Sequence, residues 1–132
     1  MSDSEMIDVE PLHLICGNLG TPGAPILSMA LMYDNDNGVI SGQGLITQSV
    51  APPNGRIALH SISGQVHGLG RGAMTRVMAL TGTFQYYLPP PAIGQVTEKF
   101  EATIVTGDDW AGHGSFTFGS QRVTNVPVKQ RG

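Results

Sequence analysis

Glycine falls inside the apolar runs of this chain as well as between them. Val39-Ile40-Ser41-Gly42-Gln43-Gly44-Leu45-Ile46, Ile62-Ser63-Gly64-Gln65-Val66 and Leu80-Thr81-Gly82-Thr83-Phe84 each read as a β-strand with glycine near its centre. A strand-interior glycine has no side chain to pack. It marks a bulge, a barrel corner or a close approach of another backbone. Repeated along successive strands, it points to a small sheet that coils shut.

The remaining segments agree with that architecture. Leu12 to Cys16 is a first strand, followed by the turn-rich link Gly17 to Pro25. Ile26 to Tyr33 and Val39 to Ser49 form a hairpin across Asp34-Asn35-Asp36-Asn37-Gly38, where Asn-Gly offers positive φ angles. Val50 to Gly55 holds two prolines, which exclude a central strand, and ends in a second Asn-Gly. Strands are then expected over Ile57–Val66, Met74–Leu88, Thr97–Thr106 and from Ser115 to Phe118, with a short terminal segment marked by Val123, Val126 and Val128. In Thr97–Thr106 the alternation is clean, with Phe100, Ala102 and Ile104 on one face and Lys99, Glu101 and Thr103 on the other. No window carries a 3.6-residue apolar period. The expectation is an all-β chain of about eight antiparallel strands in an up-and-down barrel, without substantial helix. Residues 1–10 read as a flexible arm, 11–128 as the barrel domain and 129–132 as a tail.

Charge limits the partners. The net charge is -3, without the basic stripe of a nucleic-acid binder. The acidic N-terminal residues have no apolar core, which excludes a secretory signal. No stretch approaches the ~20 apolar residues of a membrane helix. A single cysteine, Cys16, sits in an apolar run and reads as a buried inert thiol. The default location is cytoplasmic, with export by a signal-less route left open. Only 13% of residues are charged, against a typical ~25%. So few charges cover a monomer poorly, which points to an uncharged polar surface, an oligomer, or both.

The strand Ile26–Tyr33 adds weight to the oligomer. Ile26, Ala30 and Met32 lie on one face and Leu27, Met29, Leu31 and Tyr33 on the other, so both faces are apolar. Met74 to Leu80 is similar. A second copy of the chain is the natural cover, with Leu27, Met29, Leu31, Val77 and Ala79 as its expected contacts.

The candidate chemistry is sparse. His13, His60, His67 and His113 show no metal-binding spacing, and no cofactor or metal is expected. Gly68-Leu69-Gly70-Arg71-Gly72 lacks the Lys-Ser/Thr and the helix of a phosphate loop. Asp108-Asp109-Trp110 with His113 is the densest polar-aromatic cluster; its carboxylates could orient His113 as a base, but no nucleophile is paired with it. No catalytic residue is assigned. Arg76, in an apolar strand, is expected to face outward; facing inward, it would need an acid such as Glu98 or Glu101 and would offer a handle for an anionic ligand.

Two functional readings follow. The first is a non-enzymatic barrel that self-associates as a binding or assembly module. The second is a barrel holding a small apolar or anionic molecule, as a carrier or an isomerase-like protein, lined by Met32, Met78, Phe84, Tyr86, Trp110 and Phe116, with Arg76 and His113 near the ligand.

Two resemblances bear on these readings. Gly17-Asn18-Leu19-Gly20-Thr21-Pro22-Gly23, Ser41-Gly42-Gln43-Gly44-Leu45-Ile46-Thr47-Gln48 and Pro52-Pro53 resemble a family of bacterial domains of unknown function over roughly residues 12–119. Those motifs are structural and imply no activity. Asn18-Leu19-Gly20, the first hairpin and Trp110 followed by Gly112-His113-Gly114-Ser115-Phe116-Thr117 are similar in order to the avidin-type (calycin-like) barrel. That resemblance implies an oligomeric eight-stranded barrel with a ligand at its open end, near Asn18 and Thr21. This chain departs from it in having one tryptophan and in placing Gly114 where the family has an acidic ligand contact. Barrel shape carries over; biotin binding does not.

Overall fold

The strand glycines mark places where neighbouring backbones come too close for a side chain. A Cβ on Gly42 would run into the Ala30 carbonyl, and one on Gly64 into the Ala79 carbonyl. The computed structural model, which describes residues 9–68 and 75–131, resolves these approaches into a closed barrel. Its strands are β1 (Val9–Gly17), β2 (Ile26–Asp34), β3 (Val39–Thr47), β4 (Arg56–Gly68), β5 (Arg76–Tyr87), β6 (Gln95–Thr106), β7 (Gly112–Phe118) and β8 (Gln121–Gln130). Each pairs antiparallel with the next, and β8 returns to β1 through Leu14–Gln130, Ile15–Lys129 and Cys16–Val128. Among the described residues there is no helix, and none long and apolar enough to cross a membrane. Met74 and most of the Gly68–Gly72 turn lie outside the described residues.

Lys129 and Gln130, expected in a tail, belong to the strand that closes the barrel. Val9 and Glu10, expected in the arm, open β1.

Two bulges adjust the ring. Gly42 pairs with Ile62 but Gly44 with Leu59, so β4 carries one extra residue opposite Gln43. Between β7 and β8, Gly114 pairs with Val126 but Phe116 with Val123. There Asn125 adopts φ +53° and its N–H donates to the Ser115 hydroxyl at 2.9 Å. Extra residues of this kind bend a strand and tighten its twist.

The interior is filled by the inward rows of all strands. Phe100, Phe116, Leu14, Met29, Ile62 and Leu80 are almost completely buried. On β2 the inward row is Leu27, Met29, Leu31 and Tyr33, the reverse of the expected arrangement. Leu27, Met29 and Leu31 are core residues, and Met32, expected to line a ligand, stands 48% exposed on the outer wall. The reason is bulk. The other row of β2 includes Ser28 and Ala30, and burying the large row gains roughly 1.5–3 kcal/mol per side chain. On β5 the rows follow expectation, with Met78 and Leu80 inside, Val77 half-buried and Ala79 exposed outside.

The β2–β3 connection is anchored by Asp34. Its carboxylate accepts the N–H groups of Asp36 and Asn37 and, at 2.8 Å, the Asn37 side-chain amide. The turn falls where it was expected, but only Gly38, at φ +67°, is left-handed, and Asn37 does not share the positive φ expected of the Asn-Gly pair.

Candidate functional site

The antiparallel order gathers alternate connections at opposite ends of the barrel. The β2–β3 and β6–β7 turns lie at one end. The β1–β2, β3–β4, β5–β6 and β7–β8 connections lie at the other.

The first end is plugged. Residues 107–111 form a tight turn in which Trp110 N–H donates to the Gly107 carbonyl at 3.1 Å and Gly107 N–H to the Ala111 carbonyl at 3.0 Å. Trp110 sits at φ +62°, an uncommon region for a bulky residue that persists only where its surroundings enforce it. Here they do. The indole is 3% exposed, meets the Tyr33 ring edge-on at 5.2 Å and lies under the Arg76 guanidinium at 4.1 Å. Arg76 also donates to the Asp108 carbonyl at 3.1 Å, and the Thr75 hydroxyl donates to the Asp108 carboxylate at 2.6 Å.

Arg76 therefore occupies the inward row, not the outer surface, and is compensated by an aromatic face and a carbonyl. Neither Glu98 nor Glu101 is its partner. Glu98 is at the opposite end of β6, and Glu101 faces outward. The expected acid–histidine cluster does not assemble either. Asp108 is engaged by Thr75 and Asp109 by the Ala111 N–H, whereas His113 stands exposed on the outer row of β7. Beneath the plug, the buried Thr106 hydroxyl has no hydrogen-bond partner among the described residues.

The second end is open. A cavity of about 350 Å³ is floored by Ile57, Phe84 and Phe118 and walled by Tyr86, Glu98, Gln48 and Asn54. Asn54 holds the β3–β4 connection against the end of β5. Its amide donates to the Tyr87 carbonyl at 2.8 Å and its carbonyl accepts the Tyr87 N–H at 3.1 Å. The Gln48 side-chain amide donates to the Asn54 main-chain carbonyl at 3.1 Å. Glu98 lies on the inward row of β6, two residues before the buried Phe100 and opposite Phe84.

The residues expected to share one ligand site are thus dispersed. Arg76 and Trp110 belong to the plug, Phe84 and Tyr86 to the mouth, Met78 and Phe116 to the filled interior, and Met32 and His113 to the outside. Asn18 and Thr21 sit in the exposed β1–β2 connection beside a separate shallow groove. Glu98 and the Gln48–Asn54 pair were not expected here. The clean alternation of Phe100, Ala102 and Ile104, extended back by one step, already assigns Glu98 to the inward row.

Two further positions are closed to chemistry. Burial pushes the Cys16 thiol up to about 12, so it stays protonated and unreactive. A Cβ at Gly114 would lie 3.0 Å from Ile104 and Val128 side-chain carbons and 3.1 Å from the Cys16 sulfur, which leaves no room for an acidic side chain there.

No curated protein matches the chain. The model of a family described as a domain of unknown function (DUF1842) matches residues 11–123, which span the barrel from β1 into β8, and the chain belongs to that family.

Proposed function

We propose that this chain is a non-enzymatic binding or assembly module that works as a homo-oligomer, its copies meeting through the outer wall of β1 to β5. The observation that carries the reading is the segregation of charge. Along the outward rows of these five strands, Asp, Glu, Lys and Arg occur only at strand ends, as Asp34 and Arg56, and the other ionisable side chains there are the histidines His13, His60 and His67. Small uncharged residues recur through the middle, among them Ser28, Ala30, Ser41, Ala58, Ser63 and Ala79. Lys99 and Glu101 lie on β6 and Arg122 and Lys129 on β8, in the remaining wall of the barrel.

A wall of small residues lets a second sheet approach closely, and an uncharged one loses little hydration on being covered. Met32 and Val39, both exposed, give its plug-side edge apolar surface. The same patch on two copies makes a self-complementary contact. The separation of His113 from Asp108 and Asp109 favours a binding role over a catalytic one.

The test is the mass of the native protein by sedimentation velocity at micromolar concentration, with Ala30→Arg and Ala79→Arg as variants. Both positions are exposed in the single chain, so an arginine there leaves the fold intact. A multimer that falls to monomer in the variants is the expected result. A monomeric parent, or variants that keep the multimer mass, would overturn the reading.

A further inference from the structure

The mouth of the barrel holds a carboxylate that nothing in the described structure answers. Glu98 is half-buried on the inward row, and among the described residues its side chain makes no hydrogen bond or ion pair. Among the described residues it is the only charged one lining the cavity. The adjacent basic residues, Lys99 and Arg122, point away on outward rows. A carboxylate is rarely placed against apolar surface without a partner.

The surroundings define what that partner would be. The Phe84, Tyr86 and Phe118 rings line the same cavity, and aromatic faces attract cations and repel anions. Of the side-chain amides at the rim, Gln48 spends one N–H on the main-chain carbonyl of Asn54, and Asn54 spends one on that of Tyr87. Gly119 keeps the approach to the carboxylate open. At φ +64° it bears no side chain, and a Cβ there would lie 3.7 Å from the Glu98 carboxyl carbon and 3.6 Å from the Phe84 ring.

We infer that the mouth binds a small organic cation, an ammonium group carried on a compact apolar or aromatic body, with Glu98 as its counter-ion. The ammonium supplies the positive charge that the lining lacks, and its body occupies the ring-lined floor. The volume, about 350 Å³, lies at the small end of ligand pockets and limits the ligand to metabolite size. An anionic ligand is disfavoured, because Arg76, the basic residue that would receive it, is in the plug at the far end. The inference rests on the mouth alone and is independent of self-association.

Phenethylammonium, 2-phenylethanol and phenylacetate share a body and differ in charge. Each is titrated into the full chain, with amide shifts read by NMR. Phenethylammonium is expected to shift the amides of Glu98, Gly119 and Tyr86 saturably at millimolar concentration or below. 2-Phenylethanol should bind at least tenfold more weakly, phenylacetate should leave these amides unmoved, and Glu98→Gln should weaken phenethylammonium binding at least tenfold. Ala51→Trp, in the exposed β3–β4 connection at the rim, fills the mouth without touching the core and serves if the Gln variant fails to fold; it should abolish binding. Equal binding of the alcohol or the acid, undiminished binding in either variant, or the absence of a saturable shift would overturn the inference. Native mass, read on the same samples, reports separately on the oligomer.

Discussion

The Arg76 guanidinium lies 4.1 Å from the centre of the Trp110 ring, and this pair closes one end of the barrel. The contact joins the start of β5 to the β6–β7 turn. It covers an indole whose backbone stands in a left-handed conformation.

The plug therefore has two separable parts, charge and cover. Arg76→Met keeps an apolar chain over the indole and removes the cation; it should cost about 0.5–2 kcal/mol. Arg76→Ala removes both and should cost more, with a red shift in Trp110 emission. Trp110→Ala leaves a cavity and should cost about 3–5 kcal/mol. Denaturant unfolding and tryptophan emission measure these effects. An alanine variant at position 76 with parent stability and unchanged emission would refute the closure.

Gly64 tests the close-approach argument. An alanine there drives its Cβ into the Ala79 carbonyl, and the backbone on both sides is held in ladders. Overpacking of this kind typically costs about 1–3 kcal/mol, and Gly64→Ala should reach at least the upper part of that range. At Gly20, whose nearest outside atom is the Asn18 side-chain oxygen at 3.6 Å, alanine should change stability by no more than about 0.5 kcal/mol. Equal thermal midpoints for the two variants would contradict the geometry.

The Asp34 turn carries a pH dependence of known sign. The Asn37 side-chain amide holds the Asp34 carboxyl below the usual carboxylate range, helped by the N–H groups of Asn37 and Asp36. A lowered folded value means that the stabilisation is fully present above the unfolded value and is lost as pH falls through the folded one. Asn37→Ala should move the Asp34 midpoint upward in an NMR titration. An unmoved midpoint would show that the side-chain amide is not the cause.

The sequence revealed strands more readily than it revealed faces. The β6 row was readable because Lys99, Glu101 and Thr103 alternate with Phe100, Ala102 and Ile104. On β2 both rows are apolar, and only the volume of Leu27, Met29 and Leu31 against Ser28 and Ala30 decides which is buried. On β8, Val123, Val126 and Val128 break a period of two because a bulge intervenes at Thr124–Asn125, and nothing local announces it. Arg76 was misplaced for another reason. Its compensation comes from Trp110 and the Asp108 carbonyl, partners that only the closed ring brings near.

Every joint of this ring but one links strands that are neighbours in sequence, so most of the sheet is assembled hairpin by hairpin. The exception is the clasp of Cys16, Ile15 and Leu14 with Val128, Lys129 and Gln130, residues from opposite extremes of the chain. It can fasten only once the intervening strands have curved far enough to present β8 to β1. Circularity is therefore a property no segment of the molecule possesses alone. A few residues at the chain's end decide whether the sheet has two free edges or none.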